Sequence, residues 1–303
     1  MPAPTFERIV VFGVGLIGGS FALALKQAGK VSQVIGVGRR VETLQRAQSL
    51  GIIDAMGDAS AVAGADLVLI AAPVAQTELL LRELQPHLQP GTVVTDAGST
   101  KSDVVRAARA ALGEKIAQFV PGHPIAGREQ NGPEAALADL YRGKKVVITA
   151  LPENNPDSIA KVADAWQYCG ALIHQLSAEE HDAIFAAVSH LPHVLAYALV
   201  SDIASREHAD RLFQYAASGF RDFTRIAGSS PEMWRDISLA NRHALLAELD
   251  AYTEQLASLR TMLSNADGPA LEQVYARAQS ARQAWITAIE AAEQARAHEQ
   301  GGD

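Results

Sequence analysis

The chain has 303 residues, 48% of them hydrophobic and 20% charged, the balance of a soluble globular protein with room for two ordinary domains and their cores. A net charge of −8 argues against a general nucleic-acid-binding surface, so any anionic ligand depends on local Arg, Lys and His. The single cysteine, Cys169, excludes an intramolecular disulfide framework and fits a reducing, cytoplasmic compartment.

Ile9-Val-Val-Phe12 reads as a buried strand, and Gly13, Gly15 and Gly18 follow at the G-x-G-x-x-G spacing. Leu16 and Ile17 lie between the second and third glycines, and a helix is expected over about 18–28. That order suits a dinucleotide fold: one glycine turns the chain, one admits a pyrophosphate, and one lets helix and strand pack closely. The stretch from Ile9 to Leu25 carries no charge, yet it is too short and glycine-rich for a membrane span. Glu7-Arg8 is not the basic start of a signal peptide, and no membrane association is expected.

Val34–Val37 is the next strand, and it ends in Gly38-Arg39-Arg40 with Thr43 in the following turn. A protein that prefers NAD usually places a carboxylate there. A carboxylate repels a 2′-phosphate, whereas a guanidinium holds it bidentately. The turn is therefore read as favouring NADP over NAD; the plainer alternative is two arginines on an exposed helix start.

A helix near 41–50 precedes the strand Ala65–Ala72, which ends at Pro73. A helix near 76–85, a strand over 92–95 and a helix over about 101–112 come next. Phe119-Val120, Lys145–Thr149 and Leu172–Leu176 are further strands. This alternation predicts an α/β Rossmann-type domain over 1–177, with a mostly parallel sheet covered on both faces. Ser177-Ala-Glu-Glu180 is a capping box, and from there an all-helical domain is expected over 178–303, broken near Gly219, at Gly228–Pro231 and at Asp267–Pro269, with a frayed tail from His298. Its surplus of apolar helix surface suggests a homodimer interface; a monomeric bundle is the alternative.

In an open α/β sheet, ligands sit beyond the carboxyl ends of the strands. Ala72-Pro73, Asp96-Ala-Gly-Ser99-Thr-Lys101 and Pro121-Gly-His123-Pro-Ile-Ala-Gly127-Arg-Glu129 each follow a strand. His123, in an expected loop between Gly122 and Pro124, can accept a proton from a substrate hydroxyl as hydride leaves the carbon; a loop histidine bonded to backbone is the alternative. Ser99 is placed as the N-cap of the following helix, as a hydrogen-bond partner of the histidine or substrate, or as both. Ser189-His-Leu-Pro-His193 lies in a helix that Pro192 should kink. Arg221, Arg225 and Arg235 suit a carboxylate, although ion pairs of Arg221 or Arg235 with Asp222 or Asp236 account for such arginines equally well.

Together, Asp96–Lys101, Gly122–Gly127, Ser189–His193, Phe223-Thr-Arg225 and Trp234-Arg-Asp-Ile237, in order behind the glycine fingerprint, resemble the prephenate/arogenate dehydrogenase family of tyrosine biosynthesis, from Gly13 to about Trp285. The resemblance implies oxidative decarboxylation of prephenate or L-arogenate to 4-hydroxyphenylpyruvate or L-tyrosine, an anionic small-molecule substrate, and a helical dimerisation domain. By motif, His123 matches the proton acceptor, Ser99 the serine that orients it, and Arg225 the arginine that binds a substrate carboxylate. His193, Ser189 and Trp234 match pocket positions, and Glu129 a gating or polar pocket position. Arg39-Arg40 departs from the NAD-using members and, by family association, points towards arogenate. No chorismate mutase segment before Met1 and no regulatory domain after Asp303 are expected, so tyrosine inhibition would act at the active site. A β-hydroxyacid or imine-reductase type dehydrogenase expects a lysine in the interdomain helix, and residues 177–219 contain none. A non-catalytic NADP sensor would have no use for His123 and Arg225.

Overall fold

The computed structural model describes residues 5–300. Its first half alternates strand and helix: β1 (Phe6–Phe12), α1 (Leu16–Gln27), β2 (Val31–Val37), α2 (Val41–Ser49), β3 (Ala55–Gly57), β4 (Leu67–Ile70), α3 (Thr77–Leu84), β5 (Val93–Asp96), α4 (Ser102–Leu112) and β6 (Phe119–Val120). These strands form a six-stranded sheet in the order β3-β2-β1-β4-β5-β6, and every pair is parallel. The order reverses between β1 and β4, which opens a crevice at the carboxyl ends of those strands.

Alternate residues of the central strands feed two cores. Ile9, Val11, Leu67 and Leu69 face one side with Phe21, Leu25 and Trp166. Val10, Phe12, Val68 and Ile70 face the other with Leu81, Val104 and Leu112. Burial on both faces explains why β1 and β4 read as continuous apolar runs.

The chain then leaves this sheet. Pro121 has no N–H for a ladder bond, and beyond it β7 (Gly122–Pro124), β8 (Lys145–Ile148) and β9 (Leu172–Gln175) form a separate three-stranded sheet. β7 pairs antiparallel with β8, and β8 pairs parallel with β9. Two expectations are corrected. The strands at 145–149 and 172–176 do not extend the parallel sheet, and His123 lies on a strand rather than in a loop. α5 (Pro156–Tyr168) joins β8 to β9.

α6 (Ala178–Phe185) starts at the expected capping box, with Ser177 accepting from the Glu180 N–H and Glu180 from the Ser177 N–H. One π-helical turn, Ala186–His190, leads into α7 (Leu191–Ala204), which carries Pro192 in its first turn. Ala178–Ala204, 27 residues, is long and apolar enough by composition to cross a membrane. α8 (Ala209–Gln214), α9 (Ser218–Thr224) and α10 (Pro231–Ala240) follow. Gly219 is the second residue of α9, so the break falls before it. Ser230 caps α10 by accepting from the Met233 N–H at 3.3 Å.

α11 (Arg242–Ser264) and α12 (Gly268–Gln300) complete the chain, which divides into compact units Met1–Leu245 and Leu246–Asp303. The second unit exposes Leu246, Leu256, Leu263, Tyr275 and Trp285. α12 continues through His298 to Gln300, and the rest of the expected frayed tail lies outside the described residues.

Candidate active site

The glycine turn behaves as a dinucleotide cradle should. A Cβ on Gly13, whose φ is +92°, would lie 2.4 Å from the Ala71 carbonyl oxygen. A Cβ on Gly18 would lie 2.2 Å from the Gly13 oxygen. Gly15 faces open space and starts α1 with no side-chain cap, leaving N–H groups free for a pyrophosphate. Leu16 is buried in the first turn, and the Ile17 carbonyl accepts the Tyr141 hydroxyl at 2.6 Å.

At the end of β2, Gly38 packs on Leu44, Arg40 is the N-cap residue of α2, and Thr43 lies in its first turn. Arg39 and Arg40 are exposed, and neither has an ion pair among the described residues. Ala72 and Pro73 follow β4, with Pro73 opening a short 3-10 turn. These residues fit a dinucleotide at the sheet crevice, and the unpaired guanidiniums fit an added phosphate.

Asp96, the last residue of β5, is buried with Lys101, and the two form an ion pair. Asp96 also accepts the N–H groups of Gly98 at 2.8 Å and Gly122 at 3.0 Å, while Lys101 Nζ donates to the Gly122 carbonyl at 2.8 Å. The pair thereby clamps the start of β7 and fixes the height of His123. A buried pair is tolerable only with such extra bonds.

His123 Nδ1 lies 2.8 Å from Nε2 of His181, and His181 Nδ1 lies 2.8 Å from Oδ1 of Asp182. Phe185 packs against both imidazoles, at ring-centroid distances of 5.0 and 4.4 Å. Burial pushes the His123 pKa well below its ordinary value, and the neighbouring His181, Lys101 and His190 add to the shift. His123 is therefore a neutral imidazole at neutral pH.

Ser99 does not cap α4. The cap is Asp182, whose carboxylate accepts the N–H groups of Lys101 and Ser102, each at 2.8 Å, from 80 or more positions away. His181, not Ser99, is bonded to His123. The Ser99 backbone only slightly offsets the fall in the His190 pKa, which burial lowers to about 4; that buried ring meets Asn241 Nδ2 at 3.1 Å.

The π turn offers the Ser189 carbonyl to His193 Nδ1 at 2.9 Å. A carbonyl oxygen only accepts, so Nδ1 carries that proton. The His193 ring stacks on Trp234 at 3.5 Å with a 19° tilt. Trp234 is buried, and its indole N–H has no hydrogen-bond partner among the described residues. Arg225, which helps to depress the His193 pKa after burial, bonds Glu129 at 3.1 Å. Arg221 pairs with Asp222 and Arg235 with Asp236, as the ion-pair alternative expected.

Sequence reasoning missed His181, Asp182 and Asn241, and gave His190 no role beyond its place in the Ser189–His193 run. His181 and Asp182 follow directly on the capping box, but polar residues near a helix start usually signal only a solvated face. Their burial was the missing signal.

Comparison with known proteins agrees with this architecture. The prephenate dehydrogenase nucleotide-binding domain matches residues 21–175, and the prephenate dehydrogenase dimerization domain matches residues 177–277. The chain is 37% identical to cyclohexadienyl dehydrogenase of Zymomonas mobilis, over 93% of this chain and 97% of the relative. It is 35% identical to prephenate dehydrogenase of Bacillus subtilis, over 91% and 75%. The prephenate dehydrogenase of A. aeolicus, solved with hydroxyphenyl propionate and NAD+, superimposes with a TM-score of 0.82 at 35% identity, covering 88% of this chain and 94% of that one. Synechocystis arogenate dehydrogenase superimposes with a TM-score of 0.78 at 30% identity, over 92% and 100%. A Rossmann-type domain followed by helices, a shared set of motifs and these likenesses over nearly the whole chain lead to one conclusion: this oxidoreductase belongs to the prephenate dehydrogenase family.

Proposed function

We propose that the chain catalyses the NADP-dependent oxidative decarboxylation of L-arogenate, prephenate or both, giving L-tyrosine or 4-hydroxyphenylpyruvate. The observation that carries this reading is the His123 imidazole itself, bonded to His181, clamped through Gly122 by the Asp96–Lys101 pair, and held low in pKa by burial. A neutral imidazole accepts the proton of the ring hydroxyl; a protonated one cannot. When bound, NADP supplies the hydride acceptor. Loss of hydride from the carbon bearing the hydroxyl, and of the ring carboxylate as CO2, aromatises the ring.

Arg225 binds a substrate carboxylate, with Glu129 holding the guanidinium until the substrate arrives. Stacked His193 and Trp234, with the Ser189 turn, form a wall for the ring. Ser99 offers its hydroxyl to the substrate. Arg39 and Arg40 favour NADP over NAD, since both guanidiniums are exposed just after β2, with no ion pair among the described residues, and suit a 2′-phosphate. The NAD+ in the A. aeolicus relative belongs to that protein.

The working division is a dinucleotide domain over 1–177 and a helical substrate and dimerisation domain over 178–303. A homodimer accounts for exposed Ile184 and Val188 in the apolar stretch 178–204. That stretch also buries His181, Asp182 and His190 in hydrogen bonds, which suits a protein interior better than lipid. A cytoplasmic location fits the lone buried thiol. Incubation with prephenate or L-arogenate and NADP, followed at the absorbance of reduced cofactor, tests the reading. Absence of reduction with either substrate would overturn it.

A further inference from the structure

We infer that His181 and Asp182 are positioning residues, which fix the tautomer of His123 so that its Nε2 carries the lone pair that accepts the substrate proton. The inference rests on the reading of His123 as proton acceptor.

The direction of each hydrogen bond follows from Asp182. Burial raises its pKa, but the bonds from His181, Ser102 and Lys101 outweigh burial and hold the carboxylate below its ordinary value. It is an anion and can only accept. The proton in the 2.8 Å contact with His181 therefore sits on His181 Nδ1. Burial also lowers the His181 pKa, so that ring is neutral and its Nε2 is bare. A bare Nε2 accepts, so the proton in the next 2.8 Å contact sits on His123 Nδ1. A neutral His123 then has its lone pair on Nε2. Without an acceptor at His181, the proton of His123 can occupy either nitrogen, and the Nε2–H form cannot act as a base.

The same chain serves after proton transfer. Burial and the neighbouring Lys101 oppose a positive charge on His123. Asp182, one imidazole further away, offsets that opposition once His123 is protonated. Because its carboxylate also receives the Lys101 and Ser102 N–H groups, one side chain sets the start of α4 and the tautomer of the base together.

The test compares His181→Asn with His181→Gln, using prephenate and NADP as substrates. The Asn side chain is too short to reach His123, whereas the Gln amide oxygen reaches the place of Nε2 and restores an acceptor. His181→Asn is expected to lower kcat about 10- to 100-fold, the usual effect of losing an orienting partner, with KM changed by less than about twofold. His181→Gln should recover most of that loss. In protein labelled with 15N-histidine, the His123 ring should show a protonated Nδ1 and a bare Nε2, and His181→Asn should give a mixture. Wild-type kcat in His181→Asn, or a His123 ring protonated on Nε2 in the unaltered protein, overturns the inference. If His181→Asn does not fold, the labelled wild type and His181→Gln still decide the matter. His123→Asn separates the two levels: retained turnover removes the parent reading, whereas lost turnover beside a fully active His181→Asn removes only the relay.

Discussion

Arg225 Nη1 and Glu129 Oε1 are 3.1 Å apart, joining residues 96 positions distant in the chain, yet both side chains remain more than half exposed. An exposed pair of this kind adds only about 0–1 kcal/mol to stability. The contact is thus cheap to open, and its guanidinium is available to a ligand carboxylate. Arg225→Ala should raise KM about 10- to 100-fold, the range for losing a charge-assisted bond. Its Tm should move by less than about 4 °C. Steady-state kinetics and a melting curve check both, and an unchanged KM removes Arg225 from the substrate site.

His123→Asn should lower kcat by about 10²–10⁴-fold with little change in substrate binding, because a lost general base acts on the transition state. Measured kcat and a substrate dissociation constant separate the two effects.

Arg39→Asp should move cofactor preference from NADP towards NAD, since a carboxylate repels the 2′-phosphate that a guanidinium attracts. The ratio of kcat/KM for the two cofactors reads this out. A wild type that already prefers NAD contradicts the role given to the basic turn.

Lys101→Met should destabilise the fold by about 3–5 kcal/mol, because it leaves the Asp96 carboxylate buried without its counter-charge. Replacing both partners, as Asp96→Asn with Lys101→Met, should cost less than the single change. Urea unfolding midpoints of the two variants provide the comparison.

Stability should fall on mild acidification. Burial holds His190 down to about 4 from an ordinary 6.5, and His123 and His181 are lowered in the same direction. Above pH 6.5 these rings are neutral in both states and their contribution is complete. Between about 6.5 and 4 the unfolded chain binds more protons than the folded one, so stability declines as pH falls through that window. His190 alone accounts for on the order of 3 kcal/mol across it. Urea midpoints at pH 7.5 and 5 measure the decline, and equal midpoints would contradict neutral buried imidazoles.

Much of the fold was legible because its signals are local. The turn at Gly13, the Ser177–Glu180 capping box and the two-sided apolar strands each depend on residues a few positions apart. The second sheet was not legible, because Lys145–Ile148 has the composition of any buried strand and only its partners, β7 and β9, distinguish its sheet. Ser99 was a reasonable N-cap by residue type, but a carboxylate from α6 already occupies that position.

The sequence by itself determined that a strand, three spaced glycines and a helix form the turn of a nucleotide-binding domain, and it marked His123, Arg225 and Glu129 as the residues to test. Backbone conformation and side-chain chemistry at those positions are written in a few adjacent letters. Only the tertiary structure decided what His123 is bonded to. Its partner lies 58 positions away, and the burial that keeps both rings neutral exists only once β7, α4 and α6 have packed together. Desolvation and hydrogen-bond direction belong to the assembled site, so the environment of the His123 ring is a property of the fold.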